Sequence, residues 1–592
     1  EELNDHLMLC YTGVVRTASE VAQGYVPDIS SRARQLQSIA GMVTEGISIL
    51  NNGEPITRLG DLLHEAWRVK RELSPQISNS RVDQIYDRAR ATGALGGKLL
   101  GAGGGGFMLI YSNELQKTIA IDYREMAPAK ASRDMFLDNK GNYDRKKAQF
   151  SLLSAGVPGT VAGLYYALEK YGTLSWDEVL DPAINLAENG FKVPHDLSSV
   201  LTNYKNRLTA NQATAEAYYK KNKVPYKVGE VMKLPDLAWS LKKLKQYGPS
   251  AFYQGDIAKK IVAEMELNGG LITLKDLGNY KVKERVPIKG TYKGYEIVSM
   301  PPSSSGGVHL IQMLNMLEPF SLNEMGFGSA ETIHLLSEVM KRAYSDRSKY
   351  LGDTDFVEVP LKGLTSKTYA KNLLKEISLS KVTSSKDISH GNPLPYESPD
   401  TTHFSVMDDR GNVVSNTYTL NFSYGSGIVI PGTGILMNNE MDDFSSKKGV
   451  PNAYGLVGFE ANEIQGRKRP LSSMTPTIVL KDGKPYLVLG SPGGSRIITT
   501  VLQVVLNVLE HKMNIKKAVI SPRIHHQWLP DVLLVEEGFS SDTLSLLKAK
   551  GHTIRPSRTM GSVQAIVSSG DYFYGAADPR RPSSGAVAVN PQ

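Results

Sequence analysis

Apolar residues recur at three- and four-residue spacing through residues 15–23, 31–51 and 56–73, so the chain reads as helical up to about residue 88. A glycine loop then feeds a strand, because residues 94–111 run Ala-Leu-Gly-Gly-Lys-Leu-Leu-Gly-Ala-Gly-Gly-Gly-Gly-Phe-Met-Leu-Ile-Tyr. Strand, helix and loop alternate from there to about Leu379, with helices expected at residues 157–171, 234–247, 330–349 and 369–375. In the strand pattern of residues 118–124, Ile119, Ile121 and Tyr123 share one face while Asp122 and Arg124 share the other. Residues 384–399, rich in Ser, Pro, Asn, Gly and Asp, read as an exposed connector.

The pattern sharpens after Asp400. Two β-prone runs, 401–407 and 413–419, flank the turn-forming Asp408-Asp409-Arg410-Gly411-Asn412, which predicts a hairpin. A register symmetric about Arg410 sets Met407 opposite Val413 and Thr401 opposite Thr419. Opposed Cβ atoms lie about 4.5–5.5 Å apart, so the two hydroxyls come within touching range. Asn421 falls on the same face if the strand continues. Farther on, residues 485–490 read as a strand, Ser491-Pro-Gly-Gly-Ser495 as a tight loop, and residues 497–509 as an apolar helix.

Composition narrows the class without deciding it. The 592 residues carry 41% hydrophobic and 22% charged side chains, which fits a globular chain with a sizeable core. A net charge of +8 is thin over this length, and lysines come in scattered pairs such as Lys220-Lys221 and Lys447-Lys448, so no nucleic-acid stripe is present. With Cys10 as the only cysteine, an internal disulfide framework, a cysteine zinc site and an iron–sulfur cluster are excluded. No stretch reaches the ~18 apolar residues of a membrane span. The start at Glu1 reads as a processed product or a fragment, with no signal peptide in view.

Several groups could carry chemistry. A Thr-Thr pair opening a hairpin is ordinarily a β-branched strand start, but a threonine exposed as a new chain terminus carries its own base in the α-amine. Gly493 and Gly494 put two backbone N–H groups at a helix N-terminus, where they suit an oxyanion, a phosphate, or a left-handed turn alone. Arg124 is either half of a surface Asp–Arg pair or a bidentate holder of a carboxylate. Asn438-Asn439-Glu440-Met441-Asp442-Asp443 reads as a solvated loop, a calcium loop without EF-hand spacing, or a site for an ammonium group. Ser472-Ser473 follows Arg469-Pro470 as a turn. Residues 93–98 imitate a nucleotide loop but are one residue short and lead into Leu99. His525 and His526 are adjacent and lack zinc spacing.

From about Gly103 onward the chain resembles the γ-glutamyltranspeptidases. The motifs are Ile121-Asp-Tyr-Arg-Glu-Met-Ala-Pro128, Met300-Pro-Pro-Ser-Ser-Ser-Gly-Gly307, Thr401-Thr-His-Phe-Ser405, Asn438-Asn-Glu-Met-Asp-Asp-Phe444, Arg469-Pro-Leu-Ser-Ser-Met474 and Gly490-Ser-Pro-Gly-Gly-Ser-Arg496, in family order. The resemblance implies an α+β fold, an αββα sandwich of the N-terminal-nucleophile hydrolase type. It further implies a precursor that cuts itself between Asp400 and Thr401 into a large-subunit region, 107–400, and a small-subunit region, 401–592. Thr401 is then the nucleophile, Thr419 its hydrogen-bond partner, and Gly493 and Gly494 the oxyanion hole. A glutamyl α-carboxylate falls to Arg124, Ser472 and Ser473, its α-ammonium to Asn421, Glu440 and Asp443, and Tyr454 matches a lid-loop residue of bacterial members. The implied substrates are glutathione and other γ-glutamyl amides, with water, amino acids or peptides as acceptors, and no metal or cofactor. Members are usually exported, which implies a periplasmic or extracellular place. A related acylase acting on glutaryl or cephalosporin side chains is the near alternative.

Residues 1–106 carry a different resemblance. Tyr11-Thr-Gly-Val-Val-Arg-Thr-Ala-Ser19, His64-Glu-Ala-Trp67 and Gly97-Lys-Leu-Leu-Gly-Ala-Gly-Gly-Gly-Gly-Phe107 are similar to the C-terminal half of GHMP-type sugar kinases, nearest the heptose-7-phosphate kinases. That family's ATP loop lies in its other half, so kinase activity is not expected. The two resemblances meet in the run Gly103–Met108, which suggests a junction of two unrelated genes.

Overall fold

The computed structural model describes residues 106–112, 116–391, 402–447, 450, 452, 456–570 and 572–588. The helices expected before residue 88, the connector residues 392–399, Thr401 and Tyr454 lie outside the described residues.

Two antiparallel sheets form the centre. Their strands are β1 (Gly106–Ser112), β2 (Lys117–Asp122), β3 (Lys283–Arg285), β4 (Ile288–Tyr292), β5 (Tyr295–Ser299), β6 (Thr402–Met407), β7 (Val413–Tyr418), β8 (Thr477–Lys481), β9 (Lys484–Gly490), β10 (Gln564–Ser569) and β11 (Tyr572–Ala577). One sheet has the order β3-β2-β1-β7-β6 and the other β11-β10-β9-β8-β5-β4. Strand alternation explains how they stack. Phe107, Leu109, Tyr111 and Ala120 point inward and meet Val298, Ile478, Leu480 and Val488 of the facing sheet.

Each outer face is covered by helices. Met108, Ile119, Ile121 and Tyr123 pack against Leu164 and Ala167 of α1 (Thr160–Tyr171). Ile297, Val479, Leu487 and Leu489 pack against α2 (Gly306–Leu317), α3 (Ala330–Tyr350) and α4 (Arg496–Leu509). This is the αββα sandwich. Asp122, at the end of β2, and Arg124, just beyond it, are buried as fully as Ile121 and Tyr123, which excludes the surface-pair reading of those two charges. Asp122 is neutralised instead by Arg285 at 3.0 Å and Arg469 at 3.3 Å.

The hairpin after Asp400 forms in the expected register, from Met407↔Val413 to Thr402↔Tyr418. Asp408 closes its turn by accepting hydrogen bonds from Arg410 N at 3.1 Å and Asn412 N at 2.7 Å. The next pair, Thr401 with Thr419, includes a residue outside the described set. β7 does not continue to Asn421, as the strand reading required; the chain leaves the sheet, with Asn421 in the left-handed region at φ 72°.

The connector is less exposed than its composition suggests. Residues 384–391 are irregular, yet Ser385 and Ile388 are buried. Ser385 N donates to Asp531 at 2.8 Å, Trp528 Nε1 donates to the Ser385 carbonyl at 2.8 Å, and Gly391 N donates to Asp346 Oδ1 at 2.9 Å. The backbone of this stretch is tied down at Ser385 and Gly391, while Lys386, Asp387 and Ser389 stay exposed as expected.

Gly163 sets how closely α1 approaches Tyr123, since a Cβ there would lie 2.2 Å from the Tyr123 ring. Gly163→Ala is therefore expected to destabilise the fold by about 1–3 kcal/mol through overpacking, read as a lower melting temperature. Because Arg124 is the next residue, the same substitution should also raise KM.

Candidate active site

The first residues of β6 lie against the end of β9. His403 is two residues beyond Thr401, and its ring fills the space where a side chain on Gly490 would project, 2.4 Å from that would-be Cβ. Thr417 Oγ1 at 2.8 Å and Ser405 Oγ at 2.9 Å hold the two ring nitrogens. Burial drives the imidazole pKa down to about 3, so it stays neutral.

β9 runs directly into the glycine loop. Gly493, at φ 143°, and Gly494, at φ 63°, adopt backbone conformations that favour glycine. Their carbonyls accept from Arg496 N at 3.2 Å and Ile497 N at 3.0 Å as α4 begins, while neither N–H bonds to a described residue. Gly561 backs the loop so closely that a Cβ on Gly493 would lie 3.2 Å from its Cα. Ser562 N donates to Ser491 Oγ at 2.9 Å. The loop is thus fixed from behind, with two backbone donors at a helix N-terminus.

Thr419 and Asn421 converge through a turn rather than along a strand. Thr419 Oγ1 accepts from Asn421 N at 2.7 Å, and Asn421 Nδ2 donates to the Asn439 carbonyl at 2.9 Å. That second contact joins the hairpin to the acidic segment. Residues 438–443 are all buried, so the solvated-loop reading fails. Asn438 Oδ1 ties the segment down by accepting from Gly156 N at 2.9 Å and Glu440 N at 3.1 Å.

Arg124 meets both acids of this segment. Its NH1 pairs with Glu440 Oε2 and its NH2 with Asp443 Oδ2, and Glu125 Oε2 lies 3.4 Å from NH1. Burial pushes both Glu440 and Asp443 well above the ordinary carboxylate range, while Arg124 pulls them back down. Glu440 Oε1 and Asp443 Oδ1 accept no hydrogen bond from a described residue. Arg124 Nε donates to the Pro470 carbonyl at 3.2 Å, which brings in the two serines that follow. Ser472 Oγ accepts from Met474 N at 3.1 Å, and Ser473 Oγ accepts from Arg347 NH2. Both serines are fully buried, and Ser472 forms a short bridge to Ser304.

Sequence reasoning missed Glu125, although it stands beside Arg124, and it missed Arg347, which is far away in sequence. His525 and His526 are held apart from this site. His525 bonds Thr499 Oγ1 at 2.8 Å and Gln527 Oε1 at 3.0 Å, and His526 Nε2 lies 3.2 Å from Asp531. Among the described residues, no group of three or more His, Cys, Asp or Glu is arranged to hold a metal ion, and no helix is long and apolar enough to cross a membrane.

The neutrality of His403 has a measurable consequence. Its folded pKa is depressed from 6.5 to about 3, so unfolded chains bind this proton first as pH falls. Its contribution to stability is complete above pH ~6.5 and is lost toward pH ~3, by at most about 1.4 kcal/mol per pH unit. Comparing wild type with His403→Gln isolates this effect. The gap between their melting temperatures should narrow from pH 7 to pH 5, and an unchanged gap would show that His403 is not held neutral.

Comparison with known proteins gives the family. The family model for gamma-glutamyltranspeptidase matches residues 89–588, and the model for the GHMP kinase C-terminal region matches residues 52–121, so the two overlap around the glycine run. Glutathione hydrolase proenzyme of Escherichia coli (strain K12) is 54% identical over 479 residues, covering 81% of this chain and 82% of that protein. Acylase ACY 1 proenzyme of Pseudomonas sp. (strain SE83) is 37% identical over 462 residues, covering 76% and 79%. Cephalosporin acylase from Bacillus halodurans superposes with a TM-score of 0.74 at 25% identity, covering 83% of this chain and 88% of that one. On the match across residues 89–588, the chain belongs to the γ-glutamyltranspeptidase family.

Proposed function

We propose that this protein is a γ-glutamyl hydrolase and transferase in which Thr401, freed by self-cleavage after Asp400, attacks the γ-carbonyl of glutathione or a similar γ-glutamyl amide. The new α-amine of Thr401 takes the proton from its own Oγ1 as the C–O bond forms. The carbonyl oxygen becomes an oxyanion facing the N–H groups of Gly493 and Gly494. Collapse of this adduct breaks the amide C–N bond, and the leaving amine departs with the proton held by the Thr401 amine. What remains is a γ-glutamyl-threonine ester. Water, an amino acid or a peptide amine then attacks the ester, gives up a proton to the same base, and restores Oγ1–H.

The observation that carries this reading is the buried cluster of Arg124, Glu440 and Asp443. A free amino-acid end offers one carboxylate and one ammonium, which match this arrangement of one guanidinium and two acids. The donor carboxylate goes to Arg124, Ser472 and Ser473, while the ammonium goes to Asn421, Glu440 and Asp443. Glu440 Oε1 and Asp443 Oδ1 have acceptor capacity that an ammonium would fill. A glutaryl group, as in the acylase reading, has no ammonium and leaves both acids without that partner. Tyr454 is proposed, on family resemblance alone, as a lid-loop residue. We also place the protein in the periplasm or outside the cell, on family resemblance; cell fractionation tests this.

Release of nitroaniline from γ-glutamyl-4-nitroanilide should depend on a mature Thr401 terminus, and a dipeptide acceptor should yield a γ-glutamyl-dipeptide product. A faster reaction with glutaryl-4-nitroanilide than with the γ-glutamyl compound would overturn the substrate assignment.

A further inference from the structure

The helix α3 is rich in charge yet buried along nearly its whole length, and one of its faces reaches the site from behind. Tyr344 and Arg347, three residues apart, share that face. The Tyr344 hydroxyl donates to the Ser495 carbonyl at the start of α4, and Arg347 NH2 donates to Ser473 Oγ. Arg347 is fully buried, with its guanidinium 5.4 Å from the Tyr344 ring centroid.

The direction of the Arg347 bond matters. A guanidinium can only donate, so it occupies a lone pair on Ser473 Oγ and turns the hydroxyl hydrogen away from itself. No described residue accepts that hydrogen, and the Ser473 carbonyl is already engaged by Thr475 Oγ1 at 2.8 Å. Ser473 is therefore presented as a donor, polarised by the cation behind it. After burial, the same positive charge helps to depress the neighbouring His309 to about 3.

We propose that Arg347 is a positioning residue for donor specificity: it fixes the Ser473 hydroxyl as a hydrogen-bond donor toward the α-carboxylate of the γ-glutamyl substrate. The inference rests on the reading of Ser473 as a carboxylate holder. It adds that the selectivity for a carboxylate depends on a residue of α3 that acts through Ser473.

The test is a comparison of two donors, γ-glutamyl-4-nitroanilide and its analogue without the α-carboxylate, 4-aminobutyryl-4-nitroanilide. Discrimination is the ratio of their kcat/KM values, a ratio in which any loss of folded or mature enzyme cancels. Arg347→Met should lower this ratio by about tenfold or more, the scale of one charge-assisted hydrogen bond. Arg347→Lys, which keeps a charged donor, should restore part of it. Ser473→Ala should lower the ratio too, and the double variant should match Ser473→Ala alone.

Failures of the two ideas are separable. If Ser473→Ala lowers discrimination and Arg347→Met does not, the role of Arg347 is overturned while the carboxylate site stands. If Ser473→Ala leaves discrimination intact, the carboxylate reading falls and takes this inference with it. A full further loss from Arg347→Met in the Ser473→Ala background would also overturn the inference, because Arg347 would then act by another route.

Discussion

Arg124→Gln is expected to lower kcat/KM by more than about a hundredfold and to destabilise the fold at the same time. The guanidinium is the shared counterion of Glu440 and Asp443, with Glu125 beside it, and all four side chains are buried. Removing one partner of a buried ion pair leaves uncompensated charge, at a cost of about 3–5 kcal/mol. Glutamine keeps some hydrogen bonding but no charge, so the acids must take up protons to remain inside. Arg124→Lys should recover only part of the loss, because an ammonium is a single point charge and cannot span Glu440 and Asp443 as the planar fork does. Melting temperature and steady-state kinetics of the three proteins check both halves of this expectation.

Thr401→Ala is expected to abolish self-cleavage and turnover together. In the proposed mechanism one hydroxyl serves both reactions: it attacks the peptide carbonyl of Asp400 during maturation and the γ-carbonyl of the substrate afterwards. Loss of a nucleophile of this kind costs about 10⁴-fold or more in kcat, well beyond any effect of misplaced substrate. Thr401→Ser keeps the hydroxyl and should retain both reactions at reduced rates. A Thr401→Ala protein that still cleaves, or still turns over, would remove Thr401 from the mechanism.

The parts of this molecule that were legible from sequence are those where local chemistry and register decide the outcome. The hairpin of β6 and β7 could be placed to the residue because Asp408 and Asn412 close a turn that allows one symmetric pairing. The Gly493-Gly494 loop was legible because an apolar strand and an apolar helix leave few ways to join. Burial of charge was not legible. Asp122 and Arg124 alternate with apolar residues and so read as solvent-facing, yet Asp122 is buried at the end of β2 and Arg124 just past it among Glu440 and Asp443. The helix expected at residues 330–349 forms as α3, but nothing in its sequence shows that Glu338 pairs with Lys341 at 3.1 Å and Arg342 at 2.9 Å inside the protein. Arg347 could not be connected with Ser473 for the same reason, since their contact depends on how α3 packs under the second sheet. Asn421 reaches Thr419 by a left-handed turn, which no strand periodicity can signal.

Two family models meet near the start of the described chain. The GHMP kinase C-terminal match, at residues 52–121, overlaps the γ-glutamyltranspeptidase match at residues 89–121, a stretch that includes β1, the central strand of the first sheet. The strand itself is intact in composition and pairs with β2 and β7 in continuous register. The sheet that carries the β6–β7 hairpin thus has the strand from the overlap of the two matches at its centre.

Intact mass of the purified wild-type chain, with sequencing of any new terminus, tests the central claim most directly. The account requires pieces of 400 and 192 residues, the smaller beginning at Thr401, and a gain of one γ-glutamyl group on the smaller piece when it is quenched during turnover. A single uncut chain that hydrolyses γ-glutamyl amides, or a γ-glutamyl adduct on the larger piece, would contradict it.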